Sequence, residues 1–388
     1  MSKGSRIVWW IIALLVIVGV IYYLSNLNED TGGTATKLTE PLKIGGIVPL
    51  TGDGAAYGIP IQRAAQMAVS EINAAGGVGG QPMDILWEDG KCEGKEATLA
   101  AQKLVNVNRV PFIIGGACSS ESLAMLPITE PAQVIIISPS STSPDLSKVD
   151  SFFRFAPSDA NAGRIAAEYA RTKLGFEKAA IISEQKDYTQ GLHKVFKETF
   201  TTLGGTIVAE ESYQTGATDF RTQITKIKAA NPEVVYLLPQ TPAPGVVMLK
   251  QLKESGIKAQ LLTAEVLIGR DAVKDNATTM EGLVGIEQYF DEKAERAQAF
   301  LKKYKETYNE DAPFPAYMAG AHASLFAIKE TVEANGLDAV KNRAWLSQLK
   351  DWPATPGNVT FDTFGDLVSS YIIHRVSEGK LTDLDIVK

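Results

Sequence analysis

The 388-residue chain has few cysteines and no excess of basic residues. Two cysteines are too few for a disulfide-dense scaffold or a four-thiolate zinc site, although they suffice for one disulfide. Lys and Arg number 38 against 45 Asp and Glu, which gives a formal net charge of -7. Such a balance offers no basic coat for phosphates, so we expect no nucleic acid partner. No bound metal is expected either, since the cysteines are too few for a zinc site.

The motifs of several enzyme classes are absent as well. The sequence contains no GxxxxGK[ST], GxSxG or HExxH motif. Gly52, Gly54 and Tyr57 match the dinucleotide fingerprint only in part, because its third glycine is missing. The three histidines lie on separate predicted elements, where packing or surface roles are expected. We therefore predict a protein that is not an enzyme and that needs no cofactor.

One long apolar run stands near the N-terminus, from Ile7 to Leu24. Its 18 residues carry no charge. As a helix the run would rise about 27 Å, close to the roughly 30 Å hydrocarbon core of a bilayer. Lys3 and Arg6 precede it, so the positive-inside rule places residues 1–6 in the cytoplasm and the bulk of the chain outside.

This segment has two interpretations: a transmembrane anchor at 7–24 followed by a polar tether at 25–41, or a cleaved secretory signal. The nearest small-residue cleavage pattern, Gly33 to Ala35, lies far beyond the apolar run and favours the anchor. Both interpretations export the rest of the chain. A lipid-modified N-terminal cysteine is excluded, because the first cysteine is Cys92.

Short β-branched runs alternate with amphipathic stretches after the tether, a pattern typical of parallel strands linked by helices. The length favours two domains, since single cores stop growing at roughly 250 to 300 residues. We predict an α/β fold with two doubly wound parallel-sheet lobes and a ligand cleft between them. The predicted strands start at Lys43, Met83, Val110 and Gln133 in the first half, and at Lys178, Thr206, Glu233 and Ala259 in the second.

A ninth strand at 282–290, three helices and two further strands complete the pattern. These later elements must pack on lobes that are already built, so we expect the chain to cross between the lobes more than once. We assign residues 42–157 and 289–358 to lobe 1, and residues 158–288 and 359–388 to lobe 2.

Polar residues follow several of the predicted strands, where ligands of open parallel sheets bind. Ser119 caps a helix after the third strand, and its backbone amides and helix dipole suit a carboxylate. Ser141 and Thr142 lie in a hydroxyl-rich loop, and Glu265 follows the eighth strand. Each feature alone is compatible with an ordinary cap, turn or solvated carboxylate. Together they suit a zwitterion, with two tyrosines near the same edge that would cover it: Tyr57 and Tyr188.

Several segments resemble a known family in order and spacing. They are KIGGIVPLTGDGAAYG from Lys43, IIGGACSS from Ile113, ISPSSTSP from Ile137, EQKDYTQGL from Glu184 and TDF from Thr218. They resemble extracytoplasmic proteins of the type I periplasmic-binding fold, above all the leucine/isoleucine/valine-binding proteins of ABC importers. The resemblance covers nearly all of residues 41–388.

The resemblance implies roles for the candidate residues. Ser119 and Thr142 would hold the carboxylate and amine of an amino acid, and Ser141 would add main-chain contacts. Glu265 would pair with the α-ammonium. Two aromatic residues would close over the ligand, Tyr57 from the first lobe and Tyr188 from the second.

A disulfide and a departure also follow from the resemblance. The family's disulfide falls on Cys92 and Cys118, and an exported compartment permits it. Where branched-chain binders have a tyrosine after the strand that ends at Pro239, this chain has Gln240. That wall of the side-chain pocket is therefore expected to be smaller or more polar, and a preference for leucine is not carried over.

The resulting prediction is a monomeric, membrane-tethered solute-binding protein that closes on an amino acid or a similar small polar solute. Its second partner would be an ABC permease, and tethering would raise its concentration near that permease. The alternative is a sensory receptor ectodomain for amino acids or amides. The short predicted cytoplasmic segment, residues 1–6, leaves no room for an output module and argues against the alternative.

Overall fold

The computed structural model describes residues 36–387. The predicted membrane span at 7–24 lies outside these residues, as does most of the predicted tether. Among the helices of residues 36–387, none is both long enough and apolar enough to span a membrane.

The first part of the chain forms a parallel sheet covered by helices. Its strands are β1 (Leu42–Val48), β2 (Met83–Asp89), β3 (Phe112–Gly115), β4 (Ile135–Ser138) and β5 (Phe152–Arg154), and its helices are α1 (Ala55–Ala74), α2 (Gly94–Gln102) and α3 (Ser119–Thr129). The strand order is β2-β1-β3-β4-β5. Every residue of β3 and β4 is buried, as expected for central strands with helices on both faces.

The second part repeats the alternation. It contains α4 (Asp159–Glu168), β6 (Lys178–Glu184), α5 (Asp187–Thr202), β7 (Thr206–Tyr213), α6 (Arg221–Ala230), β8 (Val234–Leu238), α7 (Pro242–Glu254), β9 (Gln260–Ala264), α8 (Arg270–Asp275), α9 (Ala277–Met280) and β10 (Val284–Gln288). These five strands are parallel to one another. Separate apolar clusters fill the two faces of the sheet.

The last part of the chain returns to both sheets. It comprises α10 (Glu295–Tyr308), α11 (Pro315–Asn335), α12 (Ala339–Ser347), a small hairpin of β11 (Trp352–Ala354) and β12 (Gly357–Val359), and the strands β13 (Tyr371–Ser377) and β14 (Lys380–Val387). Helix α11 packs on α1 in the core of the first sheet. Strands β13 and β14 join the second sheet antiparallel, and its order becomes β14-β13-β10-β9-β8-β6-β7.

The predicted α/β class and its two parallel-sheet lobes are confirmed, and β2 has the predicted bounds of 83–89. Strands β5, β11 and β14 were not predicted. The segment after β12 also differs from the expectation, since Phe361 and Leu367 are buried in the core of the first sheet. The chain therefore stays with that sheet beyond residue 358, the predicted end of lobe 1.

Candidate ligand-binding site

A cavity lies between the two sheets, where strand ends from both lobes face each other. Thr142 enters from the loop after β4, Glu265 from the turn after β9, and Gln288 from the end of β10. Tyr317 in the first turn of α11 lies against the same space. The carboxyl ends of parallel strands thus supply its polar wall, as open α/β sheets do for ligands.

Glu265 is a buried carboxylate of this cavity, with 7% of its surface exposed. The Tyr317 hydroxyl donates to its Oε1 at 2.9 Å, and the Tyr188 hydroxyl also favours its charged form. Burial raises the pKa of Glu265, because the low-dielectric interior disfavours the charged form, while these hydroxyls oppose the shift. The site therefore holds a carboxyl group for which a cation would be a favourable partner.

Asp159 is a second buried carboxylate that the sequence analysis missed. It lies in the first turn of α4 and is 1% exposed. The Thr142 hydroxyl donates to Asp159 Oδ2 at 2.7 Å. The Asp159 backbone amide donates in turn to the Thr142 carbonyl at 2.9 Å. Burial, and then the charge of Glu265, raise the pKa of Asp159 well above its usual value. One sequence signal was present: Ser158, the N-cap of α4, marks a helix start where the chain passes from one sheet to the other.

Ser119 is the first residue of helix α3 and contacts the loop that carries Thr142. Its hydroxyl accepts the backbone amides of Thr142 at 3.2 Å and Ser143 at 3.1 Å. The positive end of the α3 dipole and these two amides therefore converge at one place, which is favourable for an anion. Ser141 points elsewhere, since its hydroxyl lies 2.7 Å from the Gly116 carbonyl.

The hydroxyl-rich loop is held by a buried ion pair. Arg154, at the end of β5, has no exposed surface and binds Asp366 through Nε at 2.6 Å and Nη2 at 2.8 Å. Its Nη1 donates to the carbonyls of Ser141 at 3.1 Å and Ser143 at 2.9 Å. Bidentate geometry fixes the guanidinium, so Arg154 acts as a positioning residue for the loop that presents Thr142.

Tyr57 and Gln240 meet beside the disulfide. Cys92 and Cys118 are joined, with a Cα–Cα distance of 5.3 Å, as the resemblance implied. The Tyr57 hydroxyl lies 2.8 Å from the Cys118 Sγ and 3.1 Å from the Cys92 Sγ. Gln240 Nε2 donates to the same hydroxyl at 3.4 Å. This contact joins the two lobes next to the cavity.

The structure thus brings part of the predicted set together. Thr142 and Glu265 line the cavity, Ser119 contacts the Thr142 amide, and Tyr188 is buried and electrostatically coupled to Glu265. The other predicted residues do not line it: Ser141, Tyr57 and Gln240. Three further residues line the cavity that the sequence patterns did not indicate: Asp159, Tyr317 and Gln288. Within the described part of the chain, the walls of this cavity include no lysine or arginine.

Comparison with known proteins agrees with this arrangement. The sequence profile of a periplasmic binding protein family matches residues 41–380. An amino acid binding protein of Pseudomonas aeruginosa is 29% identical, with 88% of this chain and 92% of the relative covered. A Leu/Ile/Val-binding protein homolog of Brucella melitensis is 28% identical, with 92% of this chain and 96% of the relative covered.

Solved structures show the same fold. The branched-chain amino acid transporter substrate binding protein of Streptococcus pneumoniae, crystallised with isoleucine, has a TM-score of 0.80 and 29% identity over 90% of this chain and 99% of its own. A solute binding protein from R. palustris, in complex with 4-hydroxybenzoate, has a TM-score of 0.81 at 20% identity over 90% and 97% of the two chains. The profile match covers most of the sequence, and this chain belongs to the periplasmic binding protein family.

Proposed function

We propose that this chain is the extracytoplasmic solute-binding protein of an ABC importer and that its ligand is an amino acid. The observation that carries the proposal is the pair of buried carboxylates, Glu265 and Asp159, in one cavity with Thr142, whose backbone amide contacts Ser119 at the start of α3. Acidic groups in the cavity and a helix N-terminus beside Thr142 suit a zwitterion. The names of the relatives from Pseudomonas aeruginosa and Brucella melitensis agree with an amino acid ligand.

The α-ammonium group would bind between Glu265 and Asp159. Burying two carboxyl groups in one cavity is costly, and their raised pKa values express that cost. A ligand cation offsets it by pairing with the ionised forms. Thr142 assists because its hydroxyl holds the Asp159 carboxylate at 2.7 Å.

The α-carboxylate would bind at the N-terminus of α3. The Ser119 hydroxyl accepts the backbone amides of Thr142 and Ser143, which orients it at the helix N-terminus, where its own hydrogen could be donated to a carboxylate oxygen. The buried guanidinium of Arg154 holds the carbonyls of the same loop and keeps these donors in place. Preorganised donors reduce the entropy that binding costs.

The acidic pair disfavours an aromatic carboxylate, although a structural neighbour was crystallised with 4-hydroxybenzoate. Such a ligand has no ammonium group, so Glu265 and Asp159 would be left without a cation and close to a further negative charge. At 20% identity that neighbour supports the fold alone. We expect amino acids to bind and benzoates not to bind.

Closure of two lobes would enclose the ligand. In this proposal lobe 1 comprises residues 42–157 and 289–367, and lobe 2 comprises 158–288 and 368–388, with the last boundary moved because of Phe361 and Leu367. The lobes meet through side chains from both, including Tyr317 with Glu265 and Gln240 with Tyr57. Disrupting these contacts would open the cavity to solvent.

The apolar segment at 7–24 would hold the protein at the membrane, and the tether at 25–41 would let the binding lobes reach an ABC permease. No chemical conversion of the ligand is part of the proposal. The protein delivers the ligand unchanged.

A binding screen of the purified full-length chain tests the function. Thermal shift and calorimetry with the common amino acids, and with benzoate and 4-hydroxybenzoate, should give saturable binding for at least one amino acid and for neither benzoate. Glu265→Gln should weaken that binding about 30-fold or more, because removing one member of a buried charge pair costs about 2 to 5 kcal/mol. Glu210→Gln, which alters a half-exposed carboxylate paired with Lys197, is the matched control and should bind normally. No amino acid binding, or equal binding by both variants, would contradict the proposal.

A further inference from the structure

Gln288, the last residue of β10, has a buried amide oxygen that lacks a partner. The residue lines the cavity and is 7% exposed. Within residues 36–387, no donor lies within hydrogen-bonding distance of its Oε1. Nearly all buried polar atoms in proteins are hydrogen-bonded, so an unpaired acceptor in a cavity wall is a favourable position for a donor on a bound molecule.

The other polar groups of the cavity wall form hydrogen bonds with partners other than Gln288. The Tyr371 hydroxyl, on the residue that pairs with Gln288 in the neighbouring strand, donates to the Ser158 carbonyl at 3.0 Å. Glu287 accepts from His374 Nε2 at 2.8 Å. The hydroxyls of Thr142 and Tyr317 donate to the carboxylates of Asp159 and Glu265, respectively. The protein groups that line the cavity therefore leave the Gln288 oxygen to a ligand.

A ligand side chain without a donor would leave this oxygen unpaired and remove it from water. An isosteric ligand that supplies a donor would satisfy it. Sites built around a buried polar group discriminate strongly against ligands that lack the complementary group. A hydroxyl or a carboxamide both donates and accepts, so it satisfies either orientation of the Gln288 amide.

We propose that Gln288 is a specificity-determining residue that selects amino acids with a hydroxyl or carboxamide side chain over aliphatic ones. The inference rests on the proposed function, because it takes the ligand's ammonium to lie between Glu265 and Asp159. An acidic side chain is disfavoured, since three carboxyl groups line the cavity: Asp159, Glu265 and Glu287. The ligand class thus differs from the leucine, isoleucine and valine for which several relatives are named.

Two pairs of near-isosteric amino acids test this preference on the purified full-length chain. Asparagine matches leucine in shape and threonine matches valine, and within each pair the polar member adds hydrogen-bonding groups. Calorimetry should show that the polar member binds about tenfold more tightly in at least one pair. Tighter or equal binding of the apolar member in both pairs would overturn the inference, and this comparison needs no variant.

The variant Gln288→Met keeps the length of the side chain and removes its hydrogen-bonding groups. It should abolish or reverse the preference while it still binds an amino acid, whereas Glu265→Gln should weaken all four ligands together. A preference that persists unchanged in Gln288→Met would overturn the role of this residue. Failure of all four amino acids and of the wider amino acid screen would contradict the proposed function itself, and with it this inference.

Discussion

The Nζ of Lys186 lies 2.6 Å from Oε1 of Glu93 and joins the lobes across the mouth of the cleft. Lys186 precedes helix α5, and Glu93 precedes α2 beside the disulfide. The lysine side chain is 11% exposed and the glutamate side chain 47%. A partly exposed pair contributes about 0.3 to 1 kcal/mol, so it adds only a small part of the free energy that stabilises the closed state.

Breaking this pair should speed ligand release. We expect Lys186→Met to raise the dissociation rate of the best-binding amino acid about two- to fivefold, measured by stopped-flow fluorescence. Lys197→Met, which breaks a pair within one lobe, is the control and should leave the rate unchanged. Added salt should narrow the difference between wild type and Lys186→Met, and identical rates at low salt would contradict a role in closure.

Amino acid affinity should fall as the pH is lowered. The raised pKa values of Glu265 and Asp159 mean that the unliganded site holds protons at a pH where free carboxyl groups are ionised. A bound ammonium favours the ionised forms, so binding releases these protons and weakens as their concentration rises. Calorimetry from pH 8 to pH 5, in buffers of different ionisation enthalpy, measures both effects. Asp159→Asn should make the dependence shallower, and a pH-independent wild type would refute the linkage.

The buried carboxyl of Glu121 should make the fold itself sensitive to pH. It has no exposed surface and accepts the backbone amides of Cys92 and Cys118, each at 2.9 Å. It lies against Gly90 and Gly116, where a side chain would collide with it. Burial raises its pKa from 4.5 to about 7, although the backbone hydrogen bonds oppose the shift.

Because the native state then binds a proton that the unfolded state has released, the free energy of unfolding should fall as pH rises from about 4.5 to about 7. The contribution of this one group is about 3 kcal/mol. Urea denaturation of wild type and Glu121→Gln at pH 5 and pH 7.5 isolates it, since other groups titrate in both proteins. The free energy of unfolding should fall less between the two pH values in Glu121→Gln than in the wild type. An equal fall in both proteins would show that Glu121 does not cause it.

Removing the disulfide should lower stability. It closes a loop with a sequence separation of 26 between Cys92 and Cys118, and the chain-entropy account gives about 3 to 4 kcal/mol for a loop of that size. The double variant Cys92→Ser, Cys118→Ser should unfold at correspondingly lower urea concentration. Thiol titration of the denatured, unreduced wild type should find no free thiol, and two reactive thiols would show that the bridge does not form.

Local sequence patterns were sufficient for most of the fold. Runs of buried β-branched residues such as those of β3 and β4 identify parallel strands, because both faces are covered. Strand β5 has only three residues, too few for a strand to be recognised from its hydrophobic pattern. Strand β14 is mostly exposed at the edge of the second sheet and mixes apolar with charged residues, so it lacks the continuous apolar run by which central strands are recognised.

The site was predictable only where its residues follow strands. Thr142 and Glu265 do, and both line the cavity. Asp159 follows the segment that crosses between the sheets. Tyr317 is 52 positions from Glu265 in the sequence and lies on a helix whose other residues are mostly buried in the core, so no local pattern marks it as a site residue. The direction of the Tyr57 side chain depends on the packing around the disulfide, which no local pattern encodes.

Recognition of both charged ends of an amino acid is the central claim, and calorimetry on one ligand in three forms tests it most directly. The best-binding amino acid is compared with the carboxylic acid that lacks its ammonium group and with the amine that lacks its carboxylate. We predict that the amino acid binds at least about 30-fold more tightly than either analogue, because each analogue leaves one set of buried groups unpaired. Binding of the carboxylic acid as tight as that of the amino acid would contradict the account.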